Sequence, residues 1–157
     1  MNVSASVNRR IEAPTEVVWG VVDDFADIAA WSAGIQSSYT TGADGAETGL
    51  GAERRCELGG GKILDERITD YIEGRSMTIH VHGVKGLPVR SSLVTFSVRQ
   101  AVNGGTEAVI DAEMSPKLPG FVVALGRGML SRKVAQQFGG LLDEWATESE
   151  KRAAAVG

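Results

Sequence analysis

The chain is short of the residues from which most metal and redox sites are built. Its 157 residues include one cysteine and two histidines. The lone Cys56 excludes an intrachain disulfide and any cysteine-based metal cluster. No apolar run approaches the roughly 18 residues that a membrane span needs. The opening MNVSASVNRRIEAP lacks the apolar core of a signal peptide, so no membrane span is expected and the default location is the cytoplasm. Lysine and arginine do not cluster along the sequence, and the net charge is −4. Such a chain has little to offer a phosphate backbone, which argues against nucleic acid as a partner.

What is present is an ordinary globular composition, 43% apolar and 23% charged. The length is enough to bury a real core. No repeat, linker or low-complexity segment interrupts it, so residues 1–157 are expected to form a single domain. Glycine is frequent, with 20 residues.

Val3, Ala5, Val7 and Ile11 alternate as a strand with one buried face. Pro14 suits the first turn of a helix, and Glu16 complements its dipole. Val17, Val18, Val21, Val22 and Phe25 then follow helical spacing, and a second short helical piece, DIAAWS, ends at Gly34. Strand patterns follow over about 35–41, 52–58, 63–72, 75–82, 88–99 and 106–114. Short glycine-bearing links join them, which favours antiparallel neighbours. From about 120 to 152 the spacing is helical, with Phe121, Leu125, Val134, Phe138, Leu141 and Trp145 as the expected core-facing stripe. One long helix laid across an antiparallel sheet is an α+β arrangement.

Two stretches carry a resemblance. IEAPTEVVWGVVDDFADIAAWSAGI has a Pro-x-x-x-Val-Trp turn into the first helix, then Asp-Phe and a further Trp. LGAERRCELGGGKILDERITDYIEGRSMTI has a Gly-x-x-Arg strand and a Glu-Arg-aliphatic strand. Both resemble the START-like superfamily, which includes polyketide cyclases/dehydrases, lipid-transport proteins, the birch-pollen allergen type and plant hormone receptors. The resemblance implies a helix-grip fold, a curved antiparallel sheet of about six to seven strands wrapped around the C-terminal helix. It also implies an apolar cavity between the two. Fold likeness alone does not choose between binding and chemistry.

Strand parity gives the side chains that face inward. They are Arg54, Cys56 and Leu58; Leu64, Glu66 and Ile68; Met77, Ile79 and Val81; Arg90, Ser92, Val94 and Phe96; and Ala112 and Met114. Phe121, Leu125 and Phe138 complete the expected ligand-binding cavity from the helix. A two-residue turn at Glu73-Gly74 would set Glu66 opposite Val81, Arg67 beside His80 and Asp65 beside His82. The two histidines of TIHVHG then point outward. Two ligands do not make a specific metal site, so no metal is expected.

An inward carboxylate is costly unless paired. Glu66 reads either as a polar anchor or weak catalytic candidate, or as one half of a salt bridge with Arg54 or Arg90. In hormone-receptor relatives the matching glutamate lines the ligand pocket. Arg54 and Arg90 could hold a planar acceptor or extend their heads to water at the cavity mouth. Cys56 reads as a small buried hydrophobe, and Ser92 as a small residue leaving room. GGGK at 59–62 lacks phosphate-loop spacing and reads as a hairpin tip. Gly126, Gly128, Gly139 and Gly140 each weaken a helix; they mark close packing, a break, or a thin face that leaves cavity volume. FVVAL after Pro119-Gly120 is also open to a partner or membrane contact.

The expected function is to bind a small hydrophobic molecule, as a carrier or sensor and without a cofactor. The alternative is a cyclase/aromatase-type enzyme that enolises and dehydrates through Glu66 with Arg54 or Arg90. A monomer or homodimer is expected.

Overall fold

A computed structural model describes residues 2–156. The strands are β1 (Val3–Ile11), β2 (Ser37–Thr40), β3 (Glu53–Gly59), β4 (Lys62–Ile72), β5 (Ser76–Lys85), β6 (Val89–Gln100) and β7 (Thr106–Pro116). They form one antiparallel sheet in the order β1-β7-β6-β5-β4-β3-β2. Helix α1 (Thr15–Asp23) and a 3-10 turn (Phe25–Ala30) carry the chain from one edge of the sheet to the other. Helix α2 (Gly120–Val156) runs unbroken to the C-terminal end.

Local chemistry explains these elements. Pro14 precedes α1, where its missing N–H has no helical partner to lose, and Glu16 lies in the first turn. The helix buries Val18, Trp19, Val21 and Val22. At the β3–β4 turn Gly59, Gly60 and Gly61 take φ values of 89°, 62° and 79°. Only glycine adopts these freely, which accounts for GGGK as a tight hairpin tip.

Helix α2 packs on β1, β7 and α1 rather than on the middle of the sheet. Trp145 fixes it there: it is fully buried, its indole N–H donates to the Val18 carbonyl at 2.9 Å, and its ring meets Phe96 edge-on at 5.5 Å. Arg9 reaches Asp143 at 2.9 Å from β1. The helix therefore covers one side of the sheet's inner face and stands off from the β3–β6 side.

The hairpin register holds in the centre of β4–β5. Glu66 pairs with Val81, Arg67 with His80, and Ile68 with Ile79. Bulges bound this stretch, with Thr69 the extra residue on β4 and His82 the extra residue on β5. Asp65 consequently faces Gly83 rather than the expected His82. His82 is exposed and His80 half-buried, both off the inner face.

Two expectations are corrected. A bulge in β6 makes Arg90 the extra residue between Val89 and Ser91, which turns Arg90 to solvent and Val89 inward. Phe121 and Leu125 are 71% and 87% exposed. The inward line of α2, traced back from Trp145 and Phe138, runs through Val134, Leu130 and Val123, on the opposite side from Phe121 and Leu125.

Candidate functional site

The gap between α2 and the β3–β6 half of the sheet is a cavity of about 420 Å³. That lies in the range of small-molecule sites. Its floor is a row of residues paired straight across five strands: Arg54, Glu66, Val81, Ser92 and Met114. All five line the cavity, with Leu58, Leu64, Ile79, Val94 and Phe96 around them and Phe138 above. Cys56, Ile68, Met77 and Ala112 face the same side but are packed into the core and do not reach the cavity wall. Arg90, Phe121 and Leu125 lie outside it, for the reasons given above.

Several lining residues escaped the sequence reading. Ile28, Ser32, Gly34 and Ile35 come from the 3-10 turn and the loop after it, where no periodicity marks a face. Val84 and Val89 turn inward because of the β5 and β6 bulges, and Leu87 sits in the turn between them. Gln137 and Glu144 come from α2, beside Leu141 of the expected core-facing stripe and Gly140, one of the glycines read as leaving cavity volume. The Glu144 carboxylate accepts from the Ala33 N–H at 2.7 Å and from the Ser32 hydroxyl at 3.3 Å, tying this loop to the helix. An acid on a long helix reads as solvated, so only three-dimensional contact reveals that role.

The polar centre of the cavity is Arg54 and Glu66, both buried. Nε and Nη2 of Arg54 each lie 2.6 Å from Glu66 Oε2. Nη1 donates to the Phe25 carbonyl, and the guanidinium carbon lies over the Phe25 ring, 4.0 Å from its centroid. Arg54 is thus not extended to water at the cavity mouth: it is buried, with its fork held by Glu66 and Phe25. The Cys56 thiol donates to the same Oε2 at 3.9 Å. Burial, reinforced by the Glu66 carboxylate, pushes this thiol up to about 12, which makes it a poor nucleophile.

Among the described residues, Glu66 Oε1 and the Ser92 hydroxyl take no hydrogen bond, and neither is sealed from the cavity. Ser92 stands two strands from Glu66 in the floor row, about 9–10 Å away by backbone spacing. The cavity floor therefore offers one carboxylate oxygen and one hydroxyl among mostly apolar walls, while Gln137, Glu144 and Ser32 add polar groups on the α2 side. No histidine or tyrosine lines it. Tyr71 is engaged elsewhere, donating to Asp23 at 2.7 Å. No group of three or more His, Cys, Asp or Glu side chains among the described residues could hold a metal ion. Among the described residues, no helix is long and apolar enough to cross a membrane.

Neither close packing nor a break explains the α2 glycines. The helix is continuous, and a Cβ placed at Gly126, Gly128, Gly139 or Gly140 would meet nothing within 4 Å. Gly140 borders the cavity, so the thin-face reading describes that position.

The fold has close counterparts among solved structures. The protein XoxI from Bacillus cereus superposes with a TM-score of 0.70 at 17% identity, over 98% of this chain and 97% of that one. Ara h 8.0201 superposes with a TM-score of 0.71 at 13% identity, over 96% and 99%. Both likenesses are to the helix-grip architecture. Compared with proteins of curated function, the sequence matches none. Residues 2–150 match the pattern of the family described as polyketide cyclase/dehydrase and lipid transport. With nearly its whole length in that match and a helix-grip fold, the chain belongs to the polyketide cyclase/dehydrase and lipid transport family.

Proposed function

We propose that the cavity binds a small, mostly apolar molecule bearing a hydrogen-bond donor, and that the protein acts as a carrier or sensor of it. One observation carries the reading. The Arg54–Glu66 pair leaves Glu66 Oε1 open to a mostly apolar cavity of about 420 Å³. An acceptor held by a buried arginine favours a hydroxyl or N–H on the ligand. The apolar walls supply the bulk of the affinity.

The cyclase-type alternative is weaker on the same geometry. Enolisation needs a base and a partner that stabilises the developing oxyanion. The fork of Arg54 is committed to Glu66 and Phe25, Arg90 faces solvent, and the Cys56 thiol is held protonated.

The test uses two fluorescent probes of near-equal size, 1-naphthol and 1-methoxynaphthalene. The protein is expected to prefer the hydroxyl probe by about tenfold, the worth of a hydrogen bond to a charged acceptor. The preference should vanish in the double variant Arg54→Met/Glu66→Leu, which keeps the site filled and uncharged. Equal affinity for both probes in the wild type would remove Glu66 as the anchor. Native mass spectrometry of protein purified without added ligand then identifies the natural occupant.

A further inference from the structure

The first half of α2 is apolar on two opposite faces. Val123, Leu130 and Val134 turn toward the protein, while Phe121, Val122, Leu125 and Met129 turn to solvent, with Leu118 beside them. Large side chains exposed in one contiguous stripe mark an interaction surface. The charge around it is of one sign. Residues 114–142 contain Lys117, Arg127, Arg132 and Lys133 and no acidic residue, in a chain of net charge −4.

The strand topology brings more cations to the same end. The Lys117 N–H donates to the Pro88 carbonyl at 3.0 Å, and Lys85 pairs with Ile63 next to the β3–β4 turn. Lys62, Lys85 and Arg90 therefore lie by the β5–β6 turn, which meets the segment leading into α2. None of these seven cations forms an ion pair among the described residues. Although no cluster shows along the sequence, the fold assembles one.

We propose that this face docks on the surface of an anionic lipid bilayer, with the stripe entering the headgroup–acyl boundary and the cations meeting lipid phosphates. A helix with a Phe/Leu/Met face and a Lys/Arg rim is the form such contacts take. A second copy of the chain fits poorly, because a two-fold contact would set Arg132 and Lys133 against themselves with no acid to offset them. A protein partner is also disfavoured. Residues 120–133 offer only apolar and cationic groups besides Ser131, whereas a protein interface typically carries about ten hydrogen bonds.

The stripe leads to the cavity. Val122, Met129, Lys133 and Gly140 follow a seven-four-seven spacing, so they share one line along the helix. Gly140, with Gln137, is part of the exposed rim of the cavity. A docked helix would hold that rim against the lipid. The docking itself does not depend on what the cavity holds.

The test is flotation of the purified protein with vesicles of phosphatidylglycerol and phosphatidylcholine, against phosphatidylcholine alone. Binding is expected to the anionic vesicles and to weaken as salt rises. It should fall at least about tenfold in Leu125→Ser/Met129→Ser and in Arg132→Glu/Lys133→Glu. All four positions are exposed, and naphthol binding is expected to be unchanged in both variants, which shows that the fold and the cavity are intact. No binding to anionic vesicles, equal binding to neutral ones, or binding that both variants retain overturns the proposal. A dimer that Leu125→Ser dissolves, with no vesicle binding, assigns the face to a second copy and overturns it as well.

Discussion

Arg54 stands directly opposite Glu66 across β3 and β4, and two of its nitrogens converge on a single oxygen of that carboxylate. The pair is buried in the floor of a mostly apolar cavity. Two charges so placed are held by each other, by the Phe25 carbonyl and by the Phe25 ring. This coupling has a consequence for stability. Glu66→Leu alone strands a buried guanidinium, and Arg54→Met alone strands a buried carboxylate. Each single change is expected to cost about 3–5 kcal/mol, while the double change costs far less or nothing. Urea unfolding of the four proteins gives the coupling directly. Additive losses would mean that the two side chains do not act as a unit.

The cavity itself makes a second prediction. Val81 sits in the floor row with its side chain against the open volume. In a close-packed core, Val81→Phe would overpack and cost about 1–3 kcal/mol. Here the added ring has room, so stability should hold or rise while naphthol binding falls at least about tenfold, since the probe and the ring compete for one space. A strongly destabilised variant in thermal melting would indicate that the site is already filled by side chains.

How far the sequence reveals this arrangement depends on where its regularity breaks. Strand alternation placed Arg54, Glu66, Val81 and Ser92 on one face because the pleat has a period of two and these stretches are uninterrupted. Each bulge inserts one residue and flips everything beyond it. Arg90 was expected inside and lies outside for that reason alone, and Val84 and Val89 took inward positions that alternation denied them. Pro88, which cannot donate to a ladder, was the available sign of irregularity there. Helix α2 failed differently. Its first half carries two apolar stripes, and hydrophobicity cannot say which one is covered. Only the line running back from the buried Trp145 and Phe138 picks Val123 over Phe121. Glu144 left no signal, since its role is a contact with backbone more than a hundred residues away.

The last prediction concerns alkaline pH. The Cys56 thiol rises from 9.0 to about 12, first through burial and then through the facing Glu66 carboxylate. A thiol with a raised folded value keeps its proton in the native state after the unfolded chain has lost it. Its contribution is therefore fully present below about pH 9 and is lost as pH climbs toward 12. Within that window stability should drop by up to about 1.4 kcal/mol per pH unit from this group. Tyr71 is pushed up to about 12 as well, by burial and its bond to Asp23, and acts in the same direction. Cys56→Ala isolates the thiol, because Tyr71 remains in both proteins. Urea midpoints at pH 7, 9 and 10.5 should converge between wild type and Cys56→Ala, or cross, as the wild type loses its advantage. Parallel curves across the series would show that Cys56 ionises freely and is not sealed beneath Glu66.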